Sequence, residues 1–360
     1  MEENILFVTR DLSTPEDTGG IFVSRMLLKM VENIYNKNID IFIIEKPKIT
    51  TKMINIFFRQ YYGQTRTNFH EFRQLLKEKN YTTIIFNSSI YGVLVRFVKK
   101  HVSSKIVVYY HNVEYKYYWE KFLCNYSFFA YVYSKFIKYN EKLSSKNSEK
   151  HIVLNQRDAR ELYKIYQTKA DLILPISLPV PSISEKASVM SSCDYCLFVG
   201  SDFFANFEGI SWFIENVLPY IHISLYVVGS VCNSLSKKYK NIKKVKLCGY
   251  VDSLEEYYKN AKFVVSPIFK GSGMKTKTIE ALSFGKCIVG TNEAFVGIDG
   301  EINKLGSLCN TAEEFIREIN NNSYVLRNPY ALKLFLEQYS IDSNSSKLEN
   351  FLKLENNYGK

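Results

Sequence analysis

The sequence predicts an α/β protein built from two parallel-sheet halves. Short apolar runs of strand length alternate with amphipathic segments of helix length almost from end to end. Parallel neighbours need a crossover, and the crossover is normally a helix. Near the middle a stretch rich in proline and serine interrupts the alternation, which then restarts. The length, 360 residues, suits about two domains of ordinary size.

The elements follow in order. Ile5–Thr9 reads as the first strand, followed by a loop closing on Gly19-Gly20 and a helix from about Ile21 to Tyr35. Further strands are expected at Ile39–Ile44, Thr83–Asn87, Lys105–His111 and His151–Asn155, with a long helix over Tyr126–Lys146. Leu174–Ser192 carries Pro175, Pro179 and Pro181 and no helical period, which marks a linker. The second half continues with strands at Tyr195–Gly200, Ile223–Gly229, Val245–Cys248, Phe263–Pro267 and Cys287–Thr291. Helices are expected at Phe207–Tyr220, near Ser234, at Ser253–Ala261 and at Thr276–Gly285, and the tail from Ala312 is helical. The expected organisation is a Rossmann-like domain over 1–175, a linker over 176–193 and a second Rossmann-like domain over 194–335. A helix over 336–360 packs back on the first domain. Such folds bind ligands outside the carboxyl ends of their strands, here in a cleft between facing domains.

Composition narrows the function. With 46% hydrophobic and 23% charged residues the chain is globular, and no run approaches the ~20 apolar residues of a membrane-spanning helix. The start, Met-Glu-Glu-Asn, has acid where a signal peptide has lysine. Seven scattered cysteines, with Cys193-x-x-Cys196 standing alone, suit reduced thiols better than a zinc site. A cytoplasmic protein is expected. The net charge of +11 comes from a solvated lysine-rich surface or from anionic partners such as nucleotide phosphates, anionic lipid or nucleic acid. No recognisable nucleic-acid module is present, so nucleic acid is the weakest of these.

The chemistry concentrates in residues 262–291, KFVVSPIFKGSGMKTKTIEALSFGKCIVGT. A buried strand ends at Pro267, a loop with Gly271 and Gly273 follows, and a helix begins with Lys275 and Lys277 in its first turn. Two glycines let backbone approach a ligand closely, and a helix N-terminus suits a diphosphate. No Asp or Glu lies between Glu256 and Glu280, whereas Lys259, Lys262, Lys270, Lys275 and Lys277 do, so a cationic cradle is expected. Glu280, just past the first turn, can accept from the paired hydroxyls of a ribose.

This stretch resembles the donor-binding signature of GT-B glycosyltransferases of the group 1, family 4 type. The resemblance implies transfer of a sugar from a nucleotide-diphosphate sugar, usually with retention and without bound metal or cofactor. Other segments agree in order over about residues 4–320. Gly19-Gly20 resembles the N-terminal glycine loop near the donor phosphates. YHNVEYKYY at 110–118 resembles a His-containing motif that places His111 at the sugar. HIVLNQRDARELYKIY at 151–166 resembles the strand and helix closing the first domain. CLFVGSDFFANFEGISWFIENVLPYI at 196–221 resembles the opening of the second domain, with Gly200 and Asn206 among its donor contacts. LCGYVDSLEEYYKNAKFVVSP at 247–267 resembles the segment that meets the nucleotide base around Gly249, Tyr250 and Val251. Gly271, Ser272, Gly273, Met274, Thr276 and Glu280 complete the donor set. One departure stands out: the family's commoner pattern has a glutamate eight residues before Glu280, and here that residue is Ser272.

The resemblance implies that catalysis is mainly leaving-group stabilisation by Lys275, Lys277 and the amides around them, with His111 as a sugar or transition-state contact. The chain has no Asp-x-Asp to hold a metal. Asn206 meets the donor or caps the helix at Phe207; Glu114 orients His111, approaches the acceptor or is a loop carboxylate. Arg10 and Asp11 can face the cleft. The remaining histidines, His70, His101, His151 and His222, read as surface or core. The stretches 52–66 and 115–139 mix aromatic residues with lysine and arginine, and Lys99–Lys150 holds ten basic residues against four glutamates. They read as ordinary core helices or as a peripheral contact with the anionic inner face of a membrane that carries a lipid-linked acceptor. The run 237–246, with six lysines, reads as a solvated loop. A glycan or lipid-linked acceptor and a role in bacterial surface polysaccharide synthesis are what the resemblance implies. A nucleotide-sugar epimerase or hydrolase, and a non-catalytic subunit of the same fold, are the alternatives.

Overall fold

The computed structural model describes residues 4–13, 19–36, 38–45, 66–125, 128–181, 194–271 and 273–353. The chain divides into two compact units, the first comprising 1–175 and 345–360 and the second 176–344.

In the first unit, β1 (Ile5–Arg10) leads to α1 (Gly19–Ile34) and β2 (Ile39–Ile44). After α2 (Arg66–Glu78) come β3 (Thr83–Phe86), α3 (Gly92–His101) and β4 (Lys105–Tyr110). Then follow α4 (Glu114–Asn125), α5 (Phe128–Asn147), β5 (Lys150–Val153), α6 (Gln156–Tyr166) and β6 (Leu172–Ile173). The sheet is parallel, in the order β2-β1-β3-β4-β5-β6. Every residue of β4 but its first is buried, as a parallel strand covered on both faces requires. Leu6, Val8, Ile84, Phe86, Ile106 and Val108 form the centre of the core, with Leu94, Val98 and Leu162 from the flanking helices.

In the second unit, β7 (Tyr195–Val199), α7 (Phe204–Asn216), β8 (Ser224–Val228), α8 (Val231–Tyr239), β9 (Val245–Gly249) and α9 (Glu255–Asn260) come first. They are followed by β10 (Phe263–Ser266), α10 (Thr276–Ser283), β11 (Ile288–Gly290), α11 (Ile302–Leu305), β12 (Gly306–Leu308), α12 (Ala312–Asn321) and α13 (Pro329–Gln338). The sheet is again parallel, ordered β12-β11-β10-β7-β8-β9. A core of Phe198, Phe213, Leu225, Val227, Phe263, Val265 and Phe315 fills its one face. α14 (Ile341–Lys353) follows, and its residues from 345 onward belong to the first unit.

In each sheet the strand order reverses once, between β1 and β3 and between β7 and β10. At such a switch point the loops leaving adjacent strands part to opposite faces and leave a crevice at the carboxyl edge.

Local chemistry sets the ends of the helices. Asn155 caps α6, accepting from the Asp158 amide, and Gln167 closes it in the left-handed region. Thr311 and Glu314 form a capping box at α12, and Asn328 caps α13 before Pro329. α4 is capped from a distance: the buried Glu141 carboxylate of α5 accepts from the Glu114 and Tyr115 amides, and also from Ser89 Oγ and Tyr166 Oη.

The structure departs from the expected elements in places. The helix expected at 207–220 runs from Phe204 to Asn216, and Pro219 lies in a separate 3-10 turn, Leu218–Tyr220. The strands β6 and β12, of two and three residues, are too short to show as apolar runs. The stretch 52–65 and the linker residues 182–193 lie outside the described residues.

Candidate active site

The second unit places Gly200, Asn206, Gly271, Gly273 and Lys277 at the switch point of its sheet, whereas Gly249, Tyr250 and Val251 follow the edge strand β9. β10 ends at Ser266, and the chain passes through two left-handed glycines, Gly271 (φ 118°) and Gly273 (φ 74°), before α10 begins. Ser272 between them lies outside the described residues. Met274 is buried, and Lys275 is the N-cap residue of α10 without a side-chain cap. The first amides of the helix, which carry the positive end of its dipole, therefore have no side-chain acceptor from the cap position.

Lys277, in the first turn of α10, is only 8% exposed. Its Nζ donates to Asn206 Oδ1 at 2.5 Å and sits 4.2 Å above the centroid of the Phe198 ring. Burial, with the positive charge of Lys275 adding to it, pulls its amine down to about 7; Glu280 opposes the shift. Asn206 is held in turn, its Nδ2 donating to the Ser201 carbonyl at 2.9 Å. The helix-capping reading of Asn206 is overturned: α7 starts at Phe204 and Phe203 is its N-cap residue. Asn206 thus lies within the first turn and orients a lysine.

The lysine cradle needs a correction. Lys275 pairs with Glu293 at 2.7 Å and donates to the Gly273 carbonyl at 2.9 Å. Lys259 pairs with Glu255, Lys262 with Asp194 at 3.5 Å and Lys270 with Glu208 at 3.0 Å. Glu293, Asp194 and Glu208 arrive from other elements and Glu255 from the same helix as Lys259, so the stretch is far less cationic than its composition suggests.

Glu280 stands on α10 and accepts from Tyr258 Oη at 2.9 Å. The other expected donor contacts lie at strand ends. Gly200 follows β7, and its amide donates to the Val228 carbonyl at 2.9 Å. Gly249 ends β9 in the left-handed region, φ 72°, with open space where a side chain would stand; Tyr250 beside it is 70% exposed and Val251 half-buried. Gly209 on α7 permits close packing: a Cβ there would lie 2.0 Å from the Pro267 carbonyl oxygen.

The first unit has its own cluster at the switch point of its sheet. Arg10 ends β1, and its guanidinium lies against Gly20, where a Cβ would come within 2.9 Å of Nη2. Gly19 opens α1. His111 follows β4, and its Nε2 lies 3.0 Å from both the carbonyl and the Oδ1 of Asn87. Asn87 donates its own Nδ2 to Thr9 Oγ1 at 3.0 Å, which fixes Oδ1 as an acceptor. The proton therefore sits on Nε2, and Nδ1 is left as a buried acceptor with no partner among the described residues. Burial and the Arg10 charge lower the imidazole to about 4, so it is neutral at physiological pH. Glu114 is not a loop carboxylate; it is the first residue of α4, and burial with the nearby Glu141 raises it to about 7. Asp11 accepts from Ser13 within its own turn.

The aromatic-basic stretch lies on α4 and α5. Lys135 Nζ sits 5.1 Å from the Trp119 ring centroid and 5.0 Å from that of Tyr131, and Lys138 Nζ 4.5 Å from Tyr115. Leu123 and Phe128, at the facing ends of the two helices, are 47% and 73% exposed. Among the described residues no helix is long and apolar enough to cross a membrane.

Residues 193–321 match the model of the family "Glycosyl transferases group 1". A 44.6 kDa uncharacterised protein in the cps region of Klebsiella pneumoniae is 22% identical over 339 residues, 82% of this chain and 84% of that one. Sucrose-phosphate synthase from Thermosynechococcus elongatus is similar in structure with a TM-score of 0.76, at 12% identity over 98% of each chain. HepE from Anabaena, solved in complex with UDP, has a TM-score of 0.67 at 13% identity, over 98% of this chain and 100% of that one. The two parallel sheets and these likenesses define the GT-B class. Within it, residues 193–321 are similar to the group 1 glycosyl transferases.

Proposed function

We propose that the protein transfers a sugar from a nucleotide-diphosphate sugar to a glycan or lipid-linked acceptor in surface polysaccharide synthesis, without a metal and with retention at the anomeric carbon. The observation that carries this reading is the buried Lys277 at the head of α10, a helix whose N-cap residue, Lys275, gives no side-chain cap. Transfer breaks the anomeric C–O bond and leaves negative charge on the β-phosphate. A helix N-terminus and an ammonium in a low-dielectric pocket stabilise that charge as it forms. In this reading the diphosphate lies over the Gly271–Lys277 loop, the ribose meets Glu280, and the base lies along Gly249–Val251. Lys275, already paired with Glu293, holds the loop and contributes less charge than Lys277. In the first unit, His111 Nδ1 accepts a hydrogen bond from a sugar hydroxyl; a neutral imidazole with its proton on Nε2 suits that task. The UDP bound to HepE and the cps location of the Klebsiella relative favour a nucleotide donor and a capsule-type product.

The test is a thermal-shift panel of UDP, ADP, GDP and CDP with their sugar derivatives, followed by turnover with the best donor. Wild type is expected to gain about 2.7 kcal/mol at 100 times the dissociation constant. Lys277→Ala is expected to lose at least ~100-fold in turnover while keeping its fold, in line with the loss of one transition-state donor. Unchanged turnover removes Lys277 from the reaction. Donor consumption without any acceptor would favour the epimerase or hydrolase.

A further inference from the structure

We propose that Tyr258 is a positioning residue for the donor nucleotide: its hydroxyl holds the Glu280 carboxylate in the orientation that accepts the ribose diol. This rests on the reading of Glu280 as the ribose acceptor.

A glutamate side chain has three rotatable bonds, so an unrestrained carboxylate meets a diol in many orientations. Tyr258, on α9, is fully buried and donates to Glu280 Oε2 at 2.9 Å. The phenol cannot swing. Its ring lies flat on Phe284, with centroids 4.9 Å apart and planes within 6°. Phe284 is the residue that closes α10, one turn beyond Glu280. Tyr258 therefore touches α10 twice, by its ring at the closing residue and by its hydroxyl at Glu280. Burial and the neighbouring Glu280 charge keep the phenol protonated, so it remains a donor throughout the accessible pH range. An ionised carboxylate has about four lone-pair positions, and Tyr258 takes one of them. The donor is supplied by an element other than the one carrying the carboxylate, so α9 and α10 are tied at the point where the ribose is read.

The test uses whichever of UDP, ADP, GDP and CDP shifts the melting temperature furthest, with its 2′,3′-dideoxy counterpart. Calorimetry then gives both dissociation constants in wild type, Tyr258→Phe and Glu280→Ala. Tyr258→Phe keeps the ring stack and removes only the hydroxyl. It is expected to weaken the ribonucleotide roughly tenfold and to leave the dideoxy nucleotide within about twofold, as loss of a hydrogen bond to a charged group predicts. In turnover the loss is expected in KM, with kcat nearly unchanged. A wild-type ratio between the two nucleotides in Tyr258→Phe, with the ratio lost in Glu280→Ala, overturns the role of Tyr258 and leaves Glu280 at the ribose. A wild-type ratio in Glu280→Ala overturns both, as does a panel in which no nucleotide binds. Should Tyr258→Phe fail to fold, Phe284→Leu keeps the hydroxyl and removes the flat surface. The same ratio is then expected to fall by a smaller factor, and an unchanged ratio overturns the proposal.

Discussion

At the scale of single residues, Lys277 gives the site a pH dependence whose sign is fixed. Its amine lies at about 7 in the unliganded protein, and a diphosphate beside it raises that value. Above pH 7 binding therefore takes up a proton, and affinity is expected to fall by up to about tenfold per pH unit. Lys277→Met is expected to remove this slope; calorimetry of the two proteins at pH 7, 8 and 9 measures it, and parallel curves would remove Lys277 from the diphosphate. The same lowering acts on folding. An amine lowered in the folded state is a cost below its folded value, and the cost is relieved as pH rises toward the ordinary lysine value. Lys277 was legible as a candidate because its position in a strand-glycine-helix motif is local. Asn206, Phe198 and Tyr258 gain their roles from contacts across 71, 79 and 22 residues, and no spacing rule announces such pairs. Glu293 was missed for the same reason, and with it the pairing of Lys275.

At the scale of elements, the approach of α7 to the end of β10 decides where Asn206 stands. Gly209 lies against the Pro267 carbonyl oxygen, with no room for a methyl group. Gly209→Ala is expected to cost ~1–3 kcal/mol of stability, because the helix must move off the strand. Urea unfolding checks that figure, and turnover of the folded variant should fall as Asn206 retreats from Lys277. Wild-type stability would show that the helix shifts freely. β1, β4 and β10 were legible because both their faces are buried and the runs are nearly continuously apolar, whereas the edge strands β2 and β9 are only partly buried. α2 was harder to read, since only its Phe72 and Leu76 side chains are deeply buried apolar groups. α4 is started by a glutamate 26 and 27 residues further along, so its own sequence does not mark its beginning.

At the scale of the molecule, Leu123 and Phe128 are exposed at the facing ends of α4 and α5 in a chain of net charge +11. We propose that Leu123 and Phe128, with the lysines of α5, rest on an anionic bilayer. Sedimentation with phosphatidylglycerol vesicles is expected to retain wild type and to lose most of Phe128→Ser with Leu123→Ser. Equal retention on purely zwitterionic vesicles, or an unaffected double variant, would remove that face as the contact. The repeat of one architecture was legible at this scale: strand and helix alternate twice, and the central break separates them. The two reversals of strand order were not, because order within a sheet depends on which faces the crossover helices take, and periodicity is blind to it.

The division of the chain also bears on how the protein comes into being. The first unit is completed by residues of α14, where the Lys105 ammonium meets the Leu352 carbonyl at 3.3 Å and Lys150 lies 5.6 Å from the Phe351 ring centroid. During synthesis the whole of the second unit is made before the residues of α14, from 345 onward, that belong to the first. The earliest sheet thus waits on the ribosome with its last buried leucines, Leu348 and Leu352, still unmade, while the later one can already close.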